Sequence, residues 1–506
     1  MMTLTADFIV IGAGSAGCAV AAGLIEKQAG SVTLIEAGPS DRSPLVKTPF
    51  GLVAMIGNPK RDWCYLSTPQ SGLGGRQLDV PRGRMVGGSS SINSMVWFRG
   101  RRDDFDNWSV PGWASADVDP MFAEVEARLS PQQMQGAHPL TRALQGLFPE
   151  NGFDAPTPEY ESAGVFRFNM QNGQRLSAAD AFLRPCLPDL TLITRQEVDR
   201  IAFENGAARR VVFTDGSELC ATKGVVLSAG AIGSPAVLMR SGVGPADALE
   251  RLGIDVVQDL PQVGENLHDH PAAGLHFAGP GSGYGLTLTQ MPAWAMAPFR
   301  YIATRRGRLA SPTVEGGGFF NSRGLDEAPD VQTHFIPFMI GWRGSRFALG
   351  AGYFADVCVC RPKSRGRLRL VSRDPKASPE IDLGLFNEPS DLDTLVAGLK
   401  RLRQLMDEAD FGEHSAPEVF PGPSVQSDKD LRAHVRKRAW TAYHPVGTLR
   451  MGEGDAPVTP RLGVRRVEGL WVADASVMPA VTSANTNAPS MMIGHRAGQM
   501  IAEDAA

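Results

Sequence analysis

A chain of 506 residues, 43% hydrophobic and 21% charged, is long enough for two or more domains, and it has the composition of a globular enzyme, not of a disordered or fibrous protein. Its formal net charge of −4 gives no overall electrostatic reason to bind nucleic acid or an anionic membrane, which leaves a small molecule as the expected substrate. Six scattered cysteines are too few for a disulfide scaffold and read as reduced thiols of a cytoplasmic protein.

The first core strand is predicted over residues 8–11, leaving no room for a signal peptide, and no apolar run reaches the ~20 residues that span a bilayer. Behind the strand stands a G-x-G-x-x-G turn, Gly12, Gly14 and Gly17, which opens an Ala-rich helix through Ser15 and Ala16. The first glycine lets the chain turn, the second lets backbone approach a pyrophosphate, and the third lets helix and strand pack closely. The helix start offers unpaired N–H groups and a positive dipole end to phosphates. A second apolar strand, 32–35, ends at Glu36 and Ala37. A carboxylate there can accept hydrogen bonds from ribose hydroxyls and disfavours a 2′-phosphate. Strand, glycine turn, helix, strand and acid together predict a dinucleotide site, with NAD and FAD both open at this point.

Residues 39–75 are rich in Pro and Gly and are expected to wrap the nucleotide as loops. In the run 81–108, Gly87, Gly88, Ser89 and Ser90 let backbone pass against a flat ligand, and Asn93 offers it a donor and an acceptor. A turn and a helix capped by Ser177 follow over 172–185. Strands are predicted over 190–194, 209–214 and 224–228, with an Asp215–Gly216 turn, and the third runs into the small-residue segment 229–244. Alternating aromatic stretches, 331–338 and 353–359, predict an antiparallel sheet within 272–436, and Leu395, Leu399 and Leu402 share one face of a helix near 392–406. The apolar segment 291–299 is a candidate for peripheral membrane contact.

The last seventy residues carry the densest chemistry. A strand over 470–473 ends at Asp474 and Ala475, Asn485, Thr486 and Asn487 form a polar loop stiffened by Pro489, and 491–501 is an amphipathic helix. His444 lies in a glycine-containing turn and has the pKa range suited to a general base. His268, Asp269 and His270 lack further ligands at a metal-binding spacing, so no metal is expected.

Together these motifs resemble the glucose-methanol-choline (GMC) family of FAD-dependent oxidoreductases, nearly end to end. The run 83–106 resembles the first family signature and 230–244 the second; VGENLHDH (263–270) is similar to the family's VGENLQDH loop, and HPVGT (444–448) to its H-P-x-G-T. The similarity is to the choline-dehydrogenase-like and furfuryl-alcohol-oxidase-like branch. It implies an α/β chain (α+β overall) with a Rossmann-type FAD-binding domain built from segments 1–150, 189–271 and 437–506. A substrate-binding domain, 151–188 and 272–436, would carry a mainly antiparallel sheet flanked by helices.

The resemblance further implies that the ADP part of FAD follows Gly12 to Gly17, Glu36 and Ala37, with Val198 near the adenine. Trp63, Arg82, Ser90 and Ala229 would lie along the cofactor, Val86, Gly88, Asn93 and Met95 along the isoalloxazine, and Asp474 and Ala475 near the ribityl phosphate. Thr486 and Asn487 would contact the flavin, His444 would accept the substrate proton, and Asn485 would complete the catalytic pair. Ile92 stands where some members carry a flavin-linking histidine, which implies non-covalent FAD. Glu315 resembles a family acid near the substrate, and Phe335 and Trp342 are expected to line the same pocket. The implied reaction takes a small primary alcohol to the aldehyde by proton abstraction at His444 and hydride transfer to flavin N5, with oxygen or a quinone-like compound as acceptor. Hydroxynitrile lyases and fatty-acid photodecarboxylases share this fold and give the alternative reaction classes.

Overall fold

The computed structural model describes residues 4–151, 157–339 and 350–505. Strand Leu4–Ile11 lies inside a seven-stranded sheet, flanked in parallel by Val32–Glu36 and Glu218–Leu227. Phe8, Ile9, Val10 and Ile11 are all buried, as a parallel strand covered on both faces requires. Thr191–Thr194 adds a parallel strand beyond Val32–Glu36. Glu218–Leu227 serves two further neighbours: its first part pairs antiparallel with Ala207–Phe213, its last part parallel with Leu470–Val472. Val198–Glu204 closes the antiparallel edge. The apolar pattern does not single out this edge strand, because only Val198 and Ile201 are buried and charged residues interrupt it.

Helix Ser15–Glu26 is buried without interruption from Ala16 to Leu24 and lies against the C-terminal helix Asn487–Asp504. The two approach to backbone contact. A Cβ on Gly494 would sit 2.3 Å from the Ala16 carbonyl oxygen. The last segment of the chain is thereby fixed on the first, which brings the Asn485–Asn487 loop to the glycine turn.

The second sheet also has seven strands, all antiparallel, in the order Glu418–Phe420, Pro271–Ala278, Gly352–Val359, Val331–Ile336, Gly316–Phe320 and Ser162–Val165, with Trp440–Thr441 on the Pro271–Ala278 strand. Helix Pro389–Glu408 buries Leu395, Leu399 and Leu402 against it. The chain is therefore a mixed α/β protein with one mainly parallel and one antiparallel sheet. No helix among the described residues is long and apolar enough to cross a membrane.

Gly494→Ala should push the two helices apart and cost about 1–3 kcal/mol, the usual range for overpacking. Gly146→Ala, where an added Cβ meets nothing within 4 Å, is the control expected to leave urea unfolding unchanged.

Candidate active site

A continuous cavity of about 1220 Å³ runs from the C-terminal ends of the parallel strands to the face of the antiparallel sheet. That strand edge is where open α/β sheets bind their ligands. At one end the glycine turn forms its floor. Gly17 is buried behind the wall, where a Cβ would come 1.9 Å from the Gly12 carbonyl oxygen, so only glycine lets the helix start so close to the strand. Gly88, at φ +53°, touches Gly14 in the same way, a Cβ there lying 2.7 Å from the Gly14 Cα. Gly12, Gly14, Ser15 and Ala16 line this end.

Glu36 both lines the cavity and holds the turn. Its carboxylate accepts hydrogen bonds from Gly38 N (2.8 Å) and Ala13 N (3.1 Å), and burial raises its pKa against the pull of those amides. Gln196 N donates to the Glu36 carbonyl (3.1 Å), which brings Val198 to the same end. Ala37, Trp63, Arg82 and Ala229 continue the wall, followed by Gly88, Asn93, Met95 and Ile92. Asp474 and Ala475 lie opposite; the Asp474 carboxylate also ties down Gly230 N (2.8 Å) and Ser476 N (2.8 Å). Thr486 and Asn487 complete the wall. Ser15 Oγ donates to Asn487 Oδ1 (2.8 Å), whereas Asn487 Nδ2 is buried with no partner among the described residues. An elongated cavity, a helix start with free amides and a buried orphan donor in the wall fit FAD along its length.

Two residues expected on the cofactor lie behind the wall instead. Val86 is buried with its amide on the Pro39 carbonyl (3.0 Å); Ser90 Oγ donates to Gly87 O (2.6 Å) and accepts from Ala178 N (3.0 Å). Both shape the Gly87–Gly88 turn from within.

The opposite end of the cavity is built where residues 268–272 run antiparallel to 440–446. His268 and Val446 exchange two backbone hydrogen bonds (3.0 and 2.9 Å), Ala442 N donates to His270 O (2.9 Å), and Pro271 faces Thr441. The buried Asp269 carboxylate locks this ladder: it accepts from His444 N (2.8 Å), His270 N (2.8 Å) and the Thr441 hydroxyl. Burial pushes Asp269 up to about 6. Tyr443, at φ +67°, occupies the left-handed region immediately before His444, backbone strain that these bonds hold in place.

The ladder sets His444 against His270, Nδ1 to Nδ1, at 3.0 Å. His270 Nε2 lies 3.0 Å from the Cys360 carbonyl, which can only accept, so His270 carries its proton on Nε2. In the neutral ring its Nδ1 is then bare and accepts from His444 Nδ1–H. That leaves His444 Nε2 bare at the cavity. Burial, then the neighbouring His270, His334 and Arg82, hold His444 well below the ordinary histidine pKa, so the ring is neutral near pH 7.

A second ring nitrogen converges from the antiparallel sheet. The register pairs Val331 with Val359 and Phe335 with Ala355, which puts His334 opposite Asp356. Asp356 Oδ1 accepts from both His334 N and Nδ1 (2.9 Å each), which in the neutral tautomer leaves His334 Nε2 as an acceptor. Asn485 Nδ2 lies 3.1 Å from His444 Nε2 and 3.4 Å from His334 Nε2, and its Oδ1 accepts from Gln332 Nε2 at 3.0 Å. The two hydrogens of one amide thus face two ring nitrogens.

His270, His334, Asp356 and Gln332 are absent from the sequence-based site. The alternation over 331–336 and 353–359 marks strands, but which residues oppose each other depends on the register. Phe335, expected in the pocket, points to the other face of its strand and packs on Tyr353 and Phe411, while His334 and Ile336 line the cavity. Glu315 is also outside the lining: it is fully buried, accepts from His138 N (2.7 Å), Ser311 Oγ (2.8 Å) and Thr141 Oγ1 (3.2 Å), and is pushed up to about 7 by burial. Its neighbours Thr313 and Val314 reach the cavity. Trp342 lies outside the described residues. His268 stays structural, its Nδ1 accepting from Val481 N (3.0 Å). Among the described residues no three His, Cys, Asp or Glu side chains are grouped to hold a metal ion.

Models of the GMC oxidoreductase family match residues 6–272 (N-terminal) and 362–494 (C-terminal). An alcohol dehydrogenase [acceptor] of Pseudomonas putida is 36% identical over 98% of this chain and 95% of its own. An oxygen-dependent choline dehydrogenase of Sinorhizobium medicae is 36% identical over 98% and 96%. Among solved structures, pyridoxine 4-oxidase from Mesorbium loti superposes with a TM-score of 0.85 at 26% identity, covering 97% of this chain and 98% of that one. A formate oxidase of Aspergillus oryzae gives 0.89 at 25% identity, covering 99% of each.

In ¹⁵N-histidine-labelled protein, His444 should appear as the neutral Nδ1–H tautomer and stay neutral well below pH 6.5. His270→Ala removes the acceptor of that proton and should release the ring into a mixture of tautomers in the same spectra.

Proposed function

Because the chain belongs to the GMC oxidoreductase family, and is thus an FAD-dependent oxidoreductase acting on CH–OH donors, we propose that it oxidises a small primary alcohol to the aldehyde with His444 as base. The observation that carries this reading is the bare His444 Nε2, held 3.1 Å from the Asn485 amide at the end of the cavity. FAD, when bound, supplies the acceptor for the hydride that leaves the alcohol carbon. The hydroxyl enters between Asn485 and the two rings. Asn485 Nδ2 turns its hydrogen bond to the alcohol oxygen, and His444 Nε2 takes the hydroxyl proton. His334 Nε2, held by Asp356, positions the hydroxyl from the other side. The names of the two curated relatives, an alcohol dehydrogenase and a choline dehydrogenase, support an alcohol as donor.

In this reading residues 1–150, 189–271 and 437–506 form the FAD-binding domain and 151–188 with 272–436 the substrate-binding domain. FAD is held without a covalent link, since Ile92 offers the cavity no nucleophile. The final acceptor is oxygen or a quinone-like compound, and the site of action is the cytoplasm, in keeping with six cysteines too scattered for a disulfide scaffold.

His444→Ala should slow anaerobic flavin bleaching by about 10²–10⁴, the usual contribution of a positioned base; bleaching at the wild-type rate would remove His444 from the role. His334→Ala should raise KM more than it lowers kcat in the same assay. As only the neutral His444 accepts a proton, and its pKa is lowered, kcat/KM should hold level through pH 7 and fall only on the acid side of ~6.5. Acid precipitation should leave the yellow colour in the supernatant.

A further inference from the structure

We propose that the helix Met291–Thr304 docks this protein on an anionic membrane surface. The helix is apolar along its length, with Arg300 its only charged residue, yet it buries little of itself. Ala297 and Tyr301 are buried and Trp294 is half-buried, a stripe at helical spacing that seats the helix on the body of the protein. At 100° per residue Phe299 stands opposite that stripe. Around it Met291, Met296 and Ile302 also face outward, and the exposures are large: 66% for Phe299, 70% for Ile302 and 59% for Met296, with Leu288 just before the helix at 92%. The strongly apolar face is therefore the outer one, the reverse of what a helix packed on a protein core presents.

Charge indicates what covers it. Arg300 and the residues after the helix, Arg305, Arg306 and Arg308, gather at one end of the apolar face, in a chain whose overall charge is −4. The partners of these last three side chains among the described residues are the side chain of Gln135, the side chain and carbonyl of Gln290 and the rings of Tyr284, Trp294 and Tyr301, none of them a carboxylate. Arg300, Arg306 and Arg308 line a cavity of about 490 Å³ beside the helix. A convex apolar face to enter the acyl boundary, with guanidinium groups and a recess for phosphate at its edge, matches an interfacial helix on anionic lipid. None of these residues lines the active-site cavity, so the surface works independently of the alcohol-oxidising reading.

The test is sedimentation of the holoenzyme with phosphatidylcholine vesicles made with or without phosphatidylglycerol. Wild type should pellet with the anionic vesicles, less at high salt, and should stay in solution with phosphatidylcholine alone. The double variants F299S/I302S and R305Q/R306Q should each lose about tenfold or more of that binding while keeping dye-linked activity and thermal unfolding unchanged. Inorganic phosphate at low concentration should not release the bound protein. Failure of wild type to bind anionic vesicles at low salt, or equal binding to both vesicle types, would overturn the proposal. So would light scattering that shows a dimer in the wild type and a monomer in F299S/I302S, because the face would then belong to a second copy.

Discussion

The antiparallel pairing of residues 268–272 with 440–446, locked by the buried Asp269 carboxylate, is the contact on which the chemical end of the cavity depends. It fixes more than position. By placing His270 between the Cys360 carbonyl and His444, it decides which His444 nitrogen carries the proton, and a single backbone carbonyl that can only accept is the origin of that decision. The strain at Tyr443 and the raised pKa of Asp269 are both consequences of forcing these groups together away from water.

The same ladder joins the two sheets. Pro271–Ala278 is a strand of the antiparallel sheet, whereas the residues after His444 return to the parallel sheet through Leu470–Val472. A cavity between the two sheets can then be walled at one end by backbone, where glycines allow close approach to a long cofactor, and at the other by side chains from both sheets. Helix Asn487–Asp504, packed to backbone contact on Ser15–Glu26, carries Asn485 and Asn487 to the places where those two ends meet.

Local pattern made part of this legible. The turn Gly12–Gly17 with Glu36, the strands at 8–11, 32–35 and 353–359, and the small-residue segment after Leu227 follow from spacing and residue type alone, because each rule acts within a few residues. His444 and Asn485 were reachable through motif resemblance. Residues whose placement rests on strand register were not: Phe335 and His334 differ by one position, and period-two alternation sends one to the core and the other to the cavity. Val86, Ser90 and Glu315 show a related limit. Small or acidic residues beside a motif are spaced like ligand contacts, but their partners, Pro39, Ala178 and Ser311, turn them inward.

The residue at 485 gains its meaning from that unforeseen register. With His270 holding His444 Nδ1–H, and with Asp356 holding Nδ1–H of a neutral His334, two acceptor nitrogens point at one spot, and the group that serves both is one that can donate twice. An amide NH₂ does so with both hydrogens on one atom, while Gln332 fixes its oxygen in the opposite direction. A neutral histidine has a single N–H and would leave one of the two acceptors unmatched in a buried site. Asn485 is therefore the complement of a paired-histidine site, and the His334–Asp356 pair is what the asparagine answers to.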